Sequence, residues 1–226
     1  MINLLKNTFP KEKGLPSTKC EIKSVSGEFP LSDNKACDEC KMNLSRHPVG
    51  CNEEGIIIKT DKNLCILRFD SYIEQFYQTQ VPSNCDYLLF DEGLDVHKIA
   101  FCDLSCSTKE YVDPNTGKYP EGKRAKCRIQ MQTSLNLLSQ EELLAARIFS
   151  IPNRVALFGW REYMPKDTFD KASSSMKDFG LTPSSKAGIL EYPEMALSGN
   201  FKFIEVKYPH IYQWTEPMED IAAYTE

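Results

Sequence analysis

The chain has no long apolar run and no excess of positive charge, and each absence excludes a class of protein. No stretch of roughly 18 consecutive apolar residues occurs, so the sequence predicts no membrane-spanning helix. Residues 1–10 hold no continuous apolar segment of the secretory type, and this favours a cytoplasmic location. Because the formal net charge is -5, any contact with nucleic acid would have to use a local basic patch.

Histidines and glycine-rich loops are also scarce. The three histidines are His47, His97 and His210, and their spacing from cysteines does not recommend a Cys–His nucleophile. No glycine-rich phosphate loop is present, which argues against nucleotide hydrolysis of the P-loop kind. The nine cysteines are an odd number and suit a reducing compartment better than a disulfide framework. These thiols are therefore expected to bind metal or to be buried.

The composition is that of an ordinary folded protein, at 41% hydrophobic and 26% charged residues. Residues 1–54 are rich in Lys, Pro, Ser, Asn and Cys, and this predicts an irregular, Cys-rich N-terminal appendage. Residues 55–226 are predicted to form one α/β domain. Within it, the polar, Ser- and Lys-rich residues 163–186 are predicted to form a mobile excursion.

Hydrophobic periodicity predicts a central mixed sheet of roughly four to six strands flanked by helices. The sheet is predicted to contain an antiparallel pair, a strand buried on both faces and a final edge strand. The predicted elements are a hairpin of 56–58 and 64–69 around a turn at 60–63, a short helix at 72–80, paired strands at 86–90 and 97–104, helices at 124–138 and 140–147, a buried strand at 155–160 and an edge strand at 201–206. Ser139 is predicted to be the N-cap of the second of these two helices, and Glu142 is predicted to complete a capping box.

Asp86 and Asp103 are the residues whose positions indicate chemistry. They lie on two strands that a turn connects, and antiparallel pairing of those strands would bring both side chains into one cleft. Carboxylates on adjacent strands can hold Mg²⁺ for phosphate chemistry. Taken alone, each residue is better explained as a turn aspartate or an edge-strand aspartate, so the hypothesis depends on their joint placement.

These segments resemble the PD-(D/E)XK nuclease superfamily. Asp86 in Cys-Asp-Tyr-Leu-Leu-Phe resembles the first acid, and Asp103 in Ile-Ala-Phe-Cys-Asp-Leu-Ser resembles the (D/E)XK acid. The resemblance covers about residues 55–160 and implies a restriction-endonuclease-like fold that cleaves DNA or RNA phosphodiesters with Mg²⁺. The lysine of that motif falls at Ser105, whose hydroxyl cannot supply a fixed positive charge.

The resemblance also assigns roles to the helix that follows. Lys109, Lys123 and Lys126 are the candidates to replace the missing lysine. The glutamine that faces the site in many superfamily members would be Gln132 or Gln130. The expected catalytic set therefore consists of Asp86, Asp103, Gln132, Lys123 and Lys126. Of these, Gln132, Lys123 and Lys126 would contact phosphate or orient water. The basic run from Lys118 to Arg128 is equally typical of a solvated loop and helix start.

A second group of residues predicts zinc. Cys37 and Cys40 form a Cys-x-x-Cys pair, and His47 and Cys51 follow within a loop-rich segment, so these four could close a tetrahedral structural Zn²⁺ site. Cys20 is an alternative to His47, and reduced thiols in a mobile tail are the rival interpretation. The remaining cysteines lie in or beside apolar elements, where the thiol behaves as a small hydrophobe: Cys65, Cys85, Cys102, Cys106 and Cys127.

Three functional hypotheses follow. The first is a metal-dependent nuclease-like protein acting on nucleic acid, working with a protein partner in a bacterial antiviral-defence or mobile-element system. The second is a nuclease-like fold without catalysis that serves as an assembly or regulatory subunit of a multi-protein complex, which Ser105 and the acidic net charge favour. The third is a zinc module for nucleic-acid binding within residues 1–55.

Overall fold

The protein is an α/β structure built on one mixed sheet, as the sequence predicted. The computed structural model describes residues 1–32, 54–77, 79–107, 109–114, 120–162, 188–214 and 222–223. Its strands are β1 (Ile22–Ser32), β2 (Glu54–Arg68), β3 (Tyr87–Asp91), β4 (Lys98–Ser107), β5 (Asn153–Glu162), β6 (Ile189–Glu191), β7 (Lys202–Lys207), β8 (Ile211–Gln213) and β9 (Ala222–Ala223). Its helices are a π-helical turn (Leu4–Thr8) that runs into α1 (Phe9–Glu12), then α2 (Phe69–Glu74), α3 (Lys109–Val112), α4 (Gly122–Leu138), α5 (Glu142–Ser150) and a 3₁₀ turn (Pro193–Met195).

The sheet has nine strands among the described residues, more than the four to six predicted. Eight follow the order β1-β2-β3-β4-β5-β7-β6-β9, and β8 pairs with β2. β3 and β4 are antiparallel, as predicted, whereas β4, β5 and β7 are mutually parallel. Since parallel neighbours need a long crossover, α4 and α5 make the connection from β4 to β5. The strand predicted at 201–206 is present as β7, but its predicted edge position is wrong, because β7 lies between β5 and β6.

The predicted hairpin at 56–69 is a single long strand. β2 pairs with β1 along its length, and the register shifts where Val25 faces Leu64 while Gly27 faces Thr60. The Thr60 hydroxyl accepts a hydrogen bond from the Lys62 backbone N–H at 3.2 Å and donates one to the Lys62 carbonyl at 3.0 Å. This local turn absorbs the extra residues, so the strand bulges where a reversal was expected.

Two cores lie on the two faces of the sheet. On one face, Phe101, Phe158 and Phe203 of the central strands pack with residues of α4 such as Met131 and Leu135. The other core consists of strand residues from β1 to β8 and includes Trp214. The second half of β1 and the first half of β2 thus contribute to a layer that opposes the central strands. The helix α4 covers the face that carries the candidate site.

Residues 1–32 are not the irregular appendage that the sequence predicted. Leu5 and Phe9 are fully buried, and the Tyr72 hydroxyl donates a hydrogen bond of 2.8 Å to the Leu5 carbonyl. β1 belongs to the main sheet. Short elements with few apolar residues carry little periodic signal, so only their tertiary contacts identify them as core. Residues 33–53 and the predicted excursion at 163–186 lie outside the described residues.

The helix predictions were correct in place but not in every boundary. α4 matches the predicted helix at 124–138, whereas α2 begins and ends earlier than predicted. α5 is capped by Glu141, whose carboxylate accepts the backbone N–H groups of Leu143 and Leu144, and not by Ser139. Ser139 is the C-cap of α4. Across the described ranges, no helix has the length and apolarity that a bilayer crossing requires.

Candidate metal and phosphate site

Asp86 and Asp103 lie side by side, Asp86 directly before β3 and Asp103 on β4. The pairing of Tyr87 with Cys102 places Asp86 opposite Asp103 at the next position of the β3–β4 ladder. Asp86 Oδ2 accepts the backbone N–H of Leu104 at 2.8 Å, so this side chain extends the ladder beyond the paired strands. Both carboxylates point to the α4 face, since their neighbours Tyr87, Cys102 and Leu104 belong to the opposite core. Asp103 is 3% exposed, and Asp86 is half-buried.

Cys127 of α4 lies against Asp103. Burial, followed by the negative charge of Asp103 and a hydrogen bond with it, raises the pKa of the Cys127 thiol well above its ordinary value. The thiol therefore stays protonated near neutral pH and can donate to the carboxylate. Burial likewise raises the pKa values of Cys85 and Cys102. The predicted burial of Cys65, Cys85, Cys102 and Cys127 is confirmed, and the side chain of Cys106 lies outside the description.

α4 also holds the segment that leads to Asp86. Gln130 Nε2 donates to the Asn84 carbonyl at 2.9 Å, and Ser134 Oγ accepts the Cys85 backbone N–H at 2.8 Å. Two hydrogen bonds from one helix thus restrain the two residues that precede Asp86. This arrangement fixes the first acid relative to the helix that covers the second.

Gln132, the glutamine preferred from the sequence, does not lie beside the acids. It donates to Asn136 Oδ1 at 2.8 Å and to Ser198 Oγ at 2.7 Å, and its Oε1 accepts the Ser198 backbone N–H at 2.9 Å. Ser198 precedes β7, at the end of that strand remote from the acids. Gln130 is the glutamine on the Asp86 side, because two positions along a helix differ by about 200° in direction.

The basic residues predicted to contact phosphate begin α4. Lys123 is half-buried one turn before Cys127, and Lys126 is exposed. The positive charge of Lys126 acts on Cys127 by lowering the pKa of its thiol, although burial and Asp103 outweigh it. The helix starts at Gly122, whose φ is +80° and whose Cβ would lie 2.5 Å from the Val112 carbonyl oxygen, so the turn requires glycine. The side chain of Lys109 lies outside the described residues.

A third acid, which the sequence analysis missed, lies in the same row. Asp103 pairs with Phe158 of β5, and Phe158 pairs with Glu205 of β7. Glu205 is 6% exposed, accepts Arg124 Nε at 2.6 Å and accepts Trp160 Nε1 at 2.9 Å. The sequence signal that could have identified Glu205 is its alternation with Phe203 and Lys207 along β7, because this spacing places an acid on the same buried face as Phe203.

Arg124 neutralises this third acid. It forms salt bridges with both Glu205 and Asp113, and its guanidinium carbon lies 4.5 Å from the centre of the Tyr192 ring. Burial lowers the pKa of Arg124, but the hydrogen bonds and charges of these carboxylates raise it overall. Arg124 is therefore a structural cation within the predicted basic run, and Glu205 is a paired acid.

The arrangement suits a hard cation held jointly with a substrate. Among the residues that the structure describes, no group of three or more His, Cys, Asp or Glu side chains could hold a metal ion. Mg²⁺ is commonly bound by one or two carboxylates together with waters and substrate phosphates, and Asp86 and Asp103 fit that donor set.

The chain matches no protein-family model, no curated protein and no solved structure.

The predicted zinc ligands Cys37, Cys40, His47 and Cys51 lie outside the described residues. Cys20, the alternative ligand, lies at the start of β1, where its sulfur is 3.4 Å from Gln75 Nε2. Burial raises the pKa of this thiol, which disfavours the thiolate that zinc requires. The described contacts of Cys20 are thus with α2 and its C-terminal turn.

Proposed function

We propose that the protein is a metal-dependent nuclease-like enzyme that acts on nucleic-acid phosphodiesters, with Mg²⁺ between Asp86 and Asp103. The observation that carries this proposal is the placement of Asp86, directly before β3, next to Asp103 of β4: Tyr87 pairs with Cys102, and Asp86 Oδ2 accepts the Leu104 backbone N–H. One acid is buried beneath α4 and the other is half-exposed, so a cation there could meet a substrate from the solvent side. Lys123 and Lys126 at the start of α4 supply positive charge on the same side.

Each residue of the candidate site has a distinct role in this proposed mechanism. A bound Mg²⁺ would neutralise phosphate charge and lower the pKa of its water. Asp103 is held by Cys127, and Asp86 is oriented by the Leu104 N–H. Gln130 restrains the backbone before Asp86. Lys123 and Lys126 bind the phosphate backbone, which orients it toward the carboxylates.

The order of elements supports a restriction-endonuclease-like core. The two acids lie on an antiparallel pair, and the helices α4 and α5 follow before a parallel strand, β5. A mixed sheet flanked by helices is the architecture that the resemblance to PD-(D/E)XK nucleases implies. We further propose a cytoplasmic setting in bacterial antiviral defence or in a mobile element, with a protein partner that supplies recognition.

A second candidate function is an assembly or regulatory subunit that has lost catalysis. Ser105 occupies the position of the motif lysine and is 5% exposed, and its hydroxyl carries no fixed positive charge. A structural zinc at Cys37, Cys40, His47 and Cys51 would stabilise a docking segment in this scheme. Metal analysis would then find one zinc per chain in the wild type and none in Cys37→Ser.

The test of the proposed function is cleavage of single- and double-stranded DNA and RNA with Mg²⁺ or Mn²⁺. Asp103→Asn should lower the rate by about 100-fold or more and abolish Mn²⁺ binding, because the variant removes charge with little change of shape. Asp61→Asn, an exposed aspartate on the β2 bulge, is the matched control and should cleave like the wild type. An inactive wild type that also fails to bind Mn²⁺ would support the assembly-subunit function.

A further inference from the structure

Lys207 on β7 lies in the same row of the sheet as Ser105, the residue at the position of the motif lysine. Ser105 pairs with Trp160 of β5, and Trp160 pairs with Lys207 of β7, so the three form one row of the sheet. This row follows the row of Asp103, Phe158 and Glu205. Lys207 has the same parity along β7 as Glu205, so its side chain lies on the same face as both acids.

The Lys207 ammonium has a fixed support. Its Nζ lies 4.9 Å from the centre of the Trp160 ring, a distance at which a cation is attracted to the ring face. Trp160 is 4% exposed, and its indole N–H is held by Glu205, which Arg124 holds in turn. The Lys207 ammonium thus lies against an indole ring whose N–H is hydrogen-bonded to the carboxylate of a buried ion pair.

The backbone around Lys207 is equally restrained. Its N–H donates to the Gly188 carbonyl at 2.8 Å, and the next residue, Tyr208, donates to the Trp160 carbonyl at 2.9 Å. Lys207 therefore sits at the carboxyl end of β7, beside the carboxyl ends of the parallel strands β4 and β5. Ligands of α/β sheets bind preferentially at this edge.

The position also suits the charges of the site. Lys207 lies two strands from Ser105, with Trp160 of β5 between them, and adjacent strands are about 4.8 Å apart. Lys123 and Lys126 lie at the start of α4, which packs on the face of the sheet that carries Lys207 and the acids. A phosphodiester between these elements would meet cations from both sides. The half-buried Lys207 side chain retains contact with solvent.

We propose that Lys207 binds a backbone phosphate of the nucleic-acid substrate and supplies the positive charge that Ser105 does not. The inference rests on the proposed function and assigns a residue outside the predicted catalytic set. Binding is measured with fluorescein-labelled DNA and RNA of about 20 nucleotides, single- and double-stranded, in Ca²⁺ across a range of salt concentrations. Cleavage in Mg²⁺ is measured in parallel.

Lys207→Met should weaken binding by about threefold to tenfold and reduce the slope of log K against log[salt] by about 0.9 for duplex or 0.7 for single strands. Lys207→Arg should restore both. Lys202→Met is the matched control on the same strand, because Lys202 points to the other face, is 45% exposed and should change neither quantity. Urea unfolding checks that all variants are folded.

The outcomes separate this inference from the proposed function. If Lys207→Met binds and cleaves like Lys202→Met, the inference is overturned while the nuclease proposal stands. If binding depends on Lys207 but the wild type cleaves nothing, the phosphate site stands and catalysis fails. A wild type that binds neither DNA nor RNA overturns both.

Discussion

Asp103 and Glu205 lie in the same row of the sheet, on either side of Phe158, and both face α4. Their surroundings differ. Glu205 accepts hydrogen bonds from Arg124 and Trp160, so its charge is matched by a buried guanidinium. Asp103 contacts a neutral thiol and neighbours a second acid. One acid of the row is thus held in a buried ion pair, whereas the other lies against a thiol and beside a second carboxylate, and the proposed cation site uses this second arrangement.

The buried ion pair between Arg124 and Glu205 should dominate local stability. Both side chains are mostly buried, at 14% and 8% exposure. Arg124→Met leaves an uncompensated carboxylate in the core, which we expect to cost roughly 3 to 5 kcal/mol in urea unfolding. The double variant Arg124→Met/Glu205→Gln should recover part of that loss. Lys202→Met, which breaks the exposed pair with Glu191, should cost at most about 1 kcal/mol.

The two glutamines of α4 form a matched pair for a kinetic test. Gln130→Ala removes the hydrogen bond to the Asn84 carbonyl and loosens the segment before Asp86, so we expect about a tenfold loss of cleavage rate. Gln132→Ala breaks only the contacts with Asn136 and Ser198 and should change the rate by less than about twofold. Equal effects of the two substitutions would contradict the assigned geometry.

Alkaline pH should destabilise the fold through its buried thiols. Burial, and next the charge of Glu92, raises the pKa of Cys65 from its usual 9.0 to about 11. Because the thiol stays protonated in the folded state but ionises in the unfolded chain, its contribution to stability is complete below pH 9.0 and is lost as pH rises to about 11. Urea midpoints measured across this window should fall, and Cys65→Ala should fall less steeply.

The reactivity of Cys20 should differ from that of the buried cysteines, and a separate alkylation experiment tests this difference. Cys20 is only half-buried, so iodoacetamide at pH 8 should modify it before Cys65, Cys85, Cys102 or Cys127 in the native protein. Peptide mapping by mass spectrometry reads out the order. Rapid modification of Cys127 in the folded protein would contradict its placement on the buried face of α4 against Asp103.

Local sequence signals were sufficient where the determining contacts are local. The α/β class, α4 and the antiparallel pairing of β3 with β4 could all be predicted, because periodicity and turn residues act over a few positions. The opposition of Asp86 and Asp103 follows from that pairing. The wrong N-cap at Ser139 shows the limit of such signals, since Glu141 two residues on caps the same helix.

What only the tertiary structure decided depends on partners far apart in the chain. Arg124 and Glu205 are 81 positions apart in the chain, and Gln132 of α4 and Ser198 in the loop before β7 are 66 positions apart. No local sequence pattern predicts which face of α4 packs against the acids, and none predicts that the Trp160 ring lies under Lys207. The sequence by itself determined α4, the antiparallel pair of β3 and β4, and the pair of acids. The packing of distant strands against α4 determined which cations and amides surround those acids, because burial and charge pairing arise only when those surfaces meet.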